Sequence, residues 1–495
     1  MAELAVNVGE TSTKRVRLQG HVQGVGFRPF VYRLATRHGI VGHVQNQLGE
    51  VEVVAQGSAE ALERFIDGLV ADAPPLASPS VLAIDSVSKL DHDSFRIIDS
   101  LADTDAQIFV PPDYFMCDEC KAELQNSSDR RYAYPFINCT QCGPRYTLIE
   151  ALPYDRENTS MAGFPLCPEC ETEYLDPGDR RFHAEPVACA KCGPQLHFEE
   201  PGCETVTANN AALENAVAAI REGSIVAVKG IGGYHLVCDA LNDEAVATLR
   251  ERKRRPDKPL AVMFPVAGTD GLEIARSYVS FTYEEAALAS GPIRPIVLAR
   301  RKASCALAGN VAPGLDEVGV FLPYSPLHQL LLDALGGPVV ATSGNISGEP
   351  VLTDNGEAAR RLRPVADAFL QHNRPIVRPA DDPVYRRIAG TMRPLRIGRG
   401  CAPRELELPY SQREPLLAVG GHMKGTVALS WDNRVVVSPH IGEMDSPRSL
   451  DVFEQVASDL QDLYGVRANR IVCDAHPGYT THKWAQGLGL PVDTV

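Results

Sequence analysis

A chain of 495 residues exceeds what one hydrophobic core organises and predicts roughly three to five domains, and its 44% hydrophobic residues suffice to build their cores. A formal net charge of −15 excludes general attraction to polyanions, although the basic run RERKRRPDK (250–258) can meet phosphates locally. No apolar run reaches the ~18 to 20 residues of a membrane span, and the start MAELAVNVGETSTKRV lacks the apolar segment of a secretory signal. A soluble, cytoplasmic chain is therefore expected, in which thirteen cysteines point to metal rather than disulfides.

The first hundred residues alternate between strand and helix patterns. KRVRLQ (14–19) has the period of a strand and GHVQGVGFRPF (20–30) follows as a loop; PFVYRLATRHG (29–39) has helical spacing and ends on Gly39, suited to a C-cap. GHVQNQLGEVEVVAQG (42–57) predicts a hairpin, SAEALERFIDGLV (58–70) a second helix with Ser58 as N-cap, and SVLAIDSVSKL (80–90) a last strand. The order βαββαβ is that of a ferredoxin-like sandwich. Gly24 and Gly26 let the loop curl its N–H groups toward one spot, and Arg28 brings a planar, always-charged fork to the helix start. Such a nest suits a phosphate or an acyl phosphate. GHVQGVGFR and GHVQNQLGEVEV resemble the two signatures of the acylphosphatase family. The resemblance implies that Arg28 and the loop amides bind the phosphoryl group while Asn46 orients the attacking water.

CDEC (117–120) and CTQC (139–142), then CPEC (167–170) and CAKC (189–192), both read C-x2-C-x18-C-x2-C, the second set fifty residues after the first. DRRY at 129 recurs as DRRF at 179 and CGP at 142 recurs at 192, so a unit is duplicated. Two knuckles of two thiolates make a closed tetrahedral zinc site. Two structural zincs are expected, one on Cys117, Cys120, Cys139 and Cys142, the other on Cys167, Cys170, Cys189 and Cys192. The remaining cysteines (203, 238, 305, 401, 473) show no ligand spacing and are expected to be ordinary buried residues.

From about residue 211 the pattern becomes α/β. AALENAVAAIREG, VATLRERK and PLHQLLLDALG predict helices; SIVAVKG, PLAVMFP, RPIVLARR, VGVFLP and PVVATSGN predict buried strands. KGIGGYHLVCDA (229–240) sets Lys229 and a glycine turn after a strand, RKRRPDKPLAV offers Lys253, Arg255 and Lys258, and TSGNISG (342–348) offers hydroxyls, an amide and glycines. Together these resemble the YrdC family of carbamoyl-adenylate-forming domains. The resemblance implies an ATP cleft, with magnesium, in which Lys253 and Arg255 neutralise the triphosphate, Ser343 and Asn345 contact the nucleotide or the acyl group, and Lys229 stands as a further binding residue. HNRPIVRPADDPVYRR follows the family except at Pro383, which replaces a serine and can donate neither hydroxyl nor N–H.

The order of parts, closing with LLAVGGHMKGTVAL and VCDAHPGY, resembles the HypF family of hydrogenase-maturation carbamoyltransferases. It implies a multidomain α/β (α+β) chain: residues 1–100 acylphosphatase-like, 101–205 tandem zinc fingers, 206–400 YrdC-like, and 401–495 the first part of an actin-like, sugar-kinase-like transfer domain. The family's histidine-rich and glycine-rich motifs do not follow HPGY, so the final transfer site is expected to be missing. The implied chemistry is a relay from carbamoyl phosphate through carbamate to carbamoyl adenylate, for transfer to the C-terminal cysteine of the partner HypE and conversion to the cyanide of a nickel-iron centre. Two other readings stand beside it: a threonylcarbamoyl-adenylate synthase of tRNA modification, and a non-enzymatic RNA-binding zinc scaffold.

Overall fold

The computed structural model describes residues 11–22, 25–47, 50–74, 76–98, 109–152, 154–346 and 348–495, with His21 as backbone only. Two compact units are present, one of Met1–Pro111, Asn138–Gln141 and Leu166–Val187, the other of Pro112–Ile137, Cys142–Pro165 and Ala188–Val495.

In the first unit the order is β1 (Thr11–His21), α1 (Phe27–His38), β2 (Val41–Gln47), β3 (Glu50–Ser58), α2 (Ala59–Ala71), β4 (Ser78–Ser86) and β5 (Phe95–Ile97). The sheet runs β4-β1-β3-β2-β5. Its first four strands have the ferredoxin-like order expected of the βαββαβ pattern. Val16, Leu18, Val51 and Val53 are buried with Leu34 of α1 and Phe65 and Leu69 of α2, so the period of two along the strands meets the 3.6 period of the helices in one core. Both helix-end expectations hold. Gly39 adopts the left-handed conformation at φ 64°, and the Ser58 side chain accepts from the Ala61 N–H. The fifth strand was not expected: β5 lies parallel to β2, with Gly42 opposite Phe95.

A short helix opens each cysteine unit, α3 (Asp118–Gln125) and α4 (Pro168–Leu175). The fifty-residue duplication survives in detail. The Ala133 N–H bonds the Leu124 carbonyl at 2.9 Å and the His183 N–H bonds the Tyr174 carbonyl at 3.0 Å, with φ of 53° and 50° at Ala133 and His183. Asp129 and Asp179 each accept the N–H of the arginine two residues on, at 2.7 and 2.8 Å.

The second unit then contains, in chain order, β6 (Leu196–Glu199), α5 (Asn209–Arg221), β7 (Val226–Lys229), β8 (Tyr234–Asp239), α6 (Asp243–Arg252), β9 (Ala261–Met263), α7 (Ala275–Tyr278), β10 (Val279–Ser280), α8 (Tyr283–Ser290), β11 (Ile296–Arg301), β12 (Glu317–Phe321), α9 (Pro326–Leu335), β13 (Val339–Ser343), α10 (Asn355–Leu362), β14 (Ala368–His372), β15 (Val384–Ile388) and β16 (Thr391–Arg396). One eleven-stranded mixed sheet joins the strands as β16-β15-β11-β12-β9-β13-β8-β7-β14-β6, with β10 beside β11. Its central strands are buried along nearly their whole length, which is why they read as continuous apolar runs rather than alternations. All five expected strands and all three expected helices are present. Strand β8 is not apparent in the sequence, because YHLVCD directly follows a turn with three glycines. Cys238 and Cys473 are buried as expected, whereas Cys305 and Cys401 are half-buried and Cys203 is exposed. A separate six-stranded sheet covers residues 404–494. No helix of the described residues is long and apolar enough to cross a membrane.

Candidate functional site

The strand registers in the first unit bring the loop and the hairpin to one end of the sheet. Leu18 of β1 faces Val51 of β3, and Val51 in turn faces Asn46 of β2, so Asn46 stands at the end from which the chain leaves β1 for the 22–26 loop. Gly26 is the N-cap of α1 at φ 71° and has no side chain with which to cap the first-turn N–H groups. Phe27 and Pro29 are buried, with Arg28 half-buried between them. The Oδ1 of Asn46 is buried and makes no hydrogen bond to the described residues. Gly24 lies outside the described residues.

The sulfurs of Cys117, Cys120, Cys139 and Cys142 all lie within 4.8 Å of one another, as do those of Cys167, Cys170, Cys189 and Cys192. Sulfurs about 2.3 Å from a tetrahedral zinc stand about 3.8 Å apart. The Cys120–Cys142 and Cys189–Cys192 separations are 3.5 and 3.8 Å, close to that value and far beyond a disulfide's ~2.05 Å. Cys117 and Cys167 are the N-caps of α3 and α4, and Cys120 and Cys170 lie in the first turns, which is how the first C-x2-C of each set aims two thiolates at one ion. The donor sets fit zinc, and four thiolates leave no open position for chemistry.

Lys253, Arg255, Ser343 and Asn345 converge. α6 ends at Lys253, and the chain turns through Arg254 at φ 50°. The Lys253 ammonium donates to the Ser343 carbonyl, to the Asn345 carbonyl at 3.2 Å and to Asn345 Oδ1 at 2.8 Å. The Ser343 hydroxyl donates to the same Oδ1 at 3.0 Å. Arg255 donates to Thr342 Oγ1 at 3.3 Å and to the Pro259 carbonyl at 2.6 Å. Arg250, undervalued in the sequence, builds the turn: its guanidinium donates to the carbonyls of Arg255, Pro256 and Lys258 at 2.7, 3.0 and 3.2 Å. Burial and the neighbouring Arg255 charge bring Lys253 down to about 7. Burial, with Arg250 and Arg396, brings Arg255 down to about 10. Such depression is what burial among like charges produces.

Lys229 makes none of these contacts. It ends β7 and donates to Asn355 Oδ1 at 2.6 Å and to the His372 carbonyl at 3.2 Å. The two aspartates before Pro383 are committed elsewhere. Asp382 meets His235 Nε2 at 2.8 Å and Arg399 Nε at 3.0 Å, and Asp381 meets His440 Nδ1 at 3.1 Å. Burial works to raise Asp382, but His235 and Arg399 hold it well below the usual carboxylate range. Pro383 keeps a backbone role, its carbonyl accepting the Ile296 N–H at 2.9 Å.

These parts define a class: an acylphosphatase-type domain followed by paired cysteine knuckles and an α/β domain with a buried cationic cluster. Family models match in that order: acylphosphatase over 14–97, HypF finger over 116–149 and 166–199, the Sua5/YciO/YrdC model described as telomere recombination over 218–398, and HypF Kae1-like domain over 411–495. The chain is 48% identical to carbamoyltransferase HypF of Synechocystis sp. over 98% of its own length and 62% of that protein's. A full-length HypF in its phosphate- and nucleotide-bound form superposes with TM-score 0.88 at 39% identity, over 99% of this chain and 64% of the other. HypF of T. kodakarensis gives 0.86 at 38%, over 98% and 62%. The chain belongs to the HypF family. It spans about 62% of the length of the Synechocystis relative.

Proposed function

We propose that the chain carries out the first two steps of a carbamoyl relay. At the first site, water aimed by Asn46 attacks the phosphorus of carbamoyl phosphate held by Arg28 and the loop amides. The bond from phosphorus to the carbamoyl oxygen breaks, and phosphate and carbamate result. Positioning and stabilisation of the developing charge suffice for this step. At the second site an oxygen of carbamate attacks the α-phosphorus of ATP, with Lys253, Arg255, Ser343 and Asn345 facing the phosphates; a magnesium ion bound with ATP would neutralise further triphosphate charge. Pyrophosphate leaves, and carbamoyl adenylate remains. Lys229 serves the same cleft from its far side. The eight knuckle cysteines carry two structural zincs. The carbamoyl acceptor is the C-terminal cysteine of HypE, on the way to the cyanide ligands of a nickel-iron hydrogenase, and the setting is the cytoplasm, where thiolates stay reduced for metal.

The convergence of Lys253, Arg255, Ser343 and Asn345 from two separate stretches carries the reading. It also weighs against the RNA scaffold, because Arg250 of the basic run is buried and bonded to carbonyls within the fold rather than exposed on a basic face. The test is exchange of labelled pyrophosphate into ATP. Exchange that requires carbamoyl phosphate supports the relay; exchange that requires threonine and bicarbonate instead assigns the chain to tRNA modification.

A further inference from the structure

In the terminal sheet, the segment that joins the strand Arg434–Val437 to the helix Pro447–Tyr464 runs along the loops of the cationic cluster. The His440 N–H bonds the Ile397 carbonyl and the Glu443 N–H bonds the Gly348 carbonyl, both at 3.0 Å. Gly442 lies between them at φ 137°, and a Cβ there would stand 2.9 Å from the Gly348 oxygen, so glycine lets the two backbones meet. Arg448, in the first turn of the helix, donates to the Pro350 and Val351 carbonyls at 2.6 and 3.1 Å and to Glu357 Oε1 at 2.9 Å. Further along the helix, Asp459 pairs with the buried Arg378 at 2.7 Å. The turn that carries Ser343 and Asn345 and the stretch that carries Asp381 are thus both held from the terminal sheet.

The cluster's own anion is held from there as well. His440 Nδ1 stands 3.1 Å from Asp381 Oδ2; a carboxylate only accepts, so Nδ1 bears the proton and donates. The same oxygen meets the Arg396 guanidinium at 3.5 Å, and Arg396 Nε donates to the Asp382 carbonyl at 2.9 Å. Asp381 is 7% exposed. Burial opposes its charge, and so does neighbouring Asp382, but Arg396 and His440 hold its carboxyl below the usual carboxylate range. Burial and cationic neighbours lower Lys253, Arg255 and Lys258, and Asp381 draws each of the three back up; Glu443 acts on Lys258 in the same sense. Asp381 is therefore a resident counter-ion of the cluster.

A triphosphate laid on Lys253 and Arg255 brings more negative charge to cations that already face Asp381. Two anions at one cationic cluster repel each other unless one of them is given another partner. We propose that His440 is a positioning residue of the nucleotide site, taking up the Asp381 carboxylate when phosphate displaces it from the cations. The inference rests on the nucleotide reading above and gives the terminal sheet a part in that site. Reciprocity follows: if the Asp381–His440 bond favours ATP, then ATP fastens the terminal sheet to the loaded cleft by the same factor.

ATP affinity of the whole chain, read by titration calorimetry, separates the two partners by sign. Asp381→Asn removes the competing charge and should tighten ATP by about tenfold. His440→Ala leaves the displaced carboxylate without a partner and should weaken ATP by about tenfold, the scale of a charge-assisted hydrogen bond. His440→Asn, whose amide N–H replaces the Nδ1 donor, should restore most of the affinity. In a chain that already carries Asp381→Asn, His440→Ala should change nothing, because no carboxylate needs a place; a merely structural histidine would cost affinity in both backgrounds. In the exchange assay the His440→Ala loss should fall on the ATP concentration for half-maximal rate and not on the saturated rate. Weaker ATP in Asp381→Asn, or an equal loss on His440→Ala with and without the Asp381 charge, would overturn the inference and leave the nucleotide site standing. A parent chain that binds no ATP would sink the nucleotide site and the inference together.

Discussion

Lys253 offers a direct measurement of the electrostatics on which the proposed nucleotide site depends. It is 5% exposed and its three N–H bonds all go to neutral oxygens of Ser343 and Asn345. Burial and the Arg255 and Lys258 charges outweigh the attraction of Asp381, and the ammonium loses its proton near 7 rather than 10.5. A triphosphate laid against it supplies the missing anion and returns the group toward an ordinary lysine. ATP binding should therefore take up about half a proton at pH 7 and about 0.9 at pH 8. By the same linkage, affinity should fall by up to about tenfold per pH unit above 7. Titration calorimetry in two buffers of different ionisation enthalpy reads the proton number. Lys253→Met should remove most of the uptake and weaken ATP by about 10- to 100-fold, the scale of a charge-assisted hydrogen bond. Lys229→Met and Lys258→Met serve as controls, since burial lowers those groups as well. Tight ATP binding at pH 8 with no proton uptake would refute the reasoning, for it would mean that Lys253 is already charged or does not face the phosphates. Without ATP the sign reverses to a stability effect. Between about pH 7 and 10.5 the unfolded chain holds a proton that the native chain has released, so stability should rise with pH across that window.

Local signals in the sequence were read correctly wherever the physics was local. Gly39 and Ser58 cap helices by their own backbone and side-chain chemistry, and the pairs Cys117–Cys120 and Cys167–Cys170 each sit on a first helical turn, so neither signal needs a distant partner to be recognised. Tertiary context decided the rest. Phe95–Ile97 is too short to show a period of two and becomes a strand only because β2 lies beside it. The basic run at 250–258 looks like a solvated face, yet Arg250 and Lys253 are inside it, held by carbonyls that arrive from other loops. The stretch RPIVRPADDPVYRR shows the limit most clearly. Of its four arginines, Arg378 pairs with Asp459 at 2.7 Å, Arg386 with Glu317 at 2.9 Å and Arg387 with Glu284 at 3.6 Å. Arg374 has no such acid among the described residues. The four look alike in sequence because the acids that pair with three of them lie between about 70 and 100 residues away, and no local pattern encodes which one lacks an acid.

Elemental analysis should find about two zincs per chain, and Cys120→Ser should leave about one; a parent value near one or zero would refute the duplicated site. Arg28→Ala should slow carbamoyl phosphate hydrolysis by about 10²- to 10³-fold, and Asn46→Ala should lower turnover with less effect on phosphate binding; parent rates in both would reduce the loop to a turn. Gly26 gives the last prediction, with Gly39 as its internal control. Both are left-handed, at φ 71° and 64°, so alanine at either costs about 1 to 2 kcal/mol from backbone strain alone. They differ in space. Nothing lies within 4 Å of a Cβ at Gly39, whereas one at Gly26 would stand 2.7 Å from Thr140 Cβ. Thr140 cannot easily yield, because its hydroxyl donates to the Arg180 carbonyl at 3.0 Å. Gly26→Ala should therefore cost a further 1 to 3 kcal/mol or so from overpacking, and it should slow phosphate release as the Arg28 turn shifts. Urea unfolding of the two variants, together with their hydrolysis rates, tests this. Equal destabilisation with unchanged hydrolysis in Gly26→Ala would mean that the knuckle residue Thr140 does not hold the phosphate loop in place.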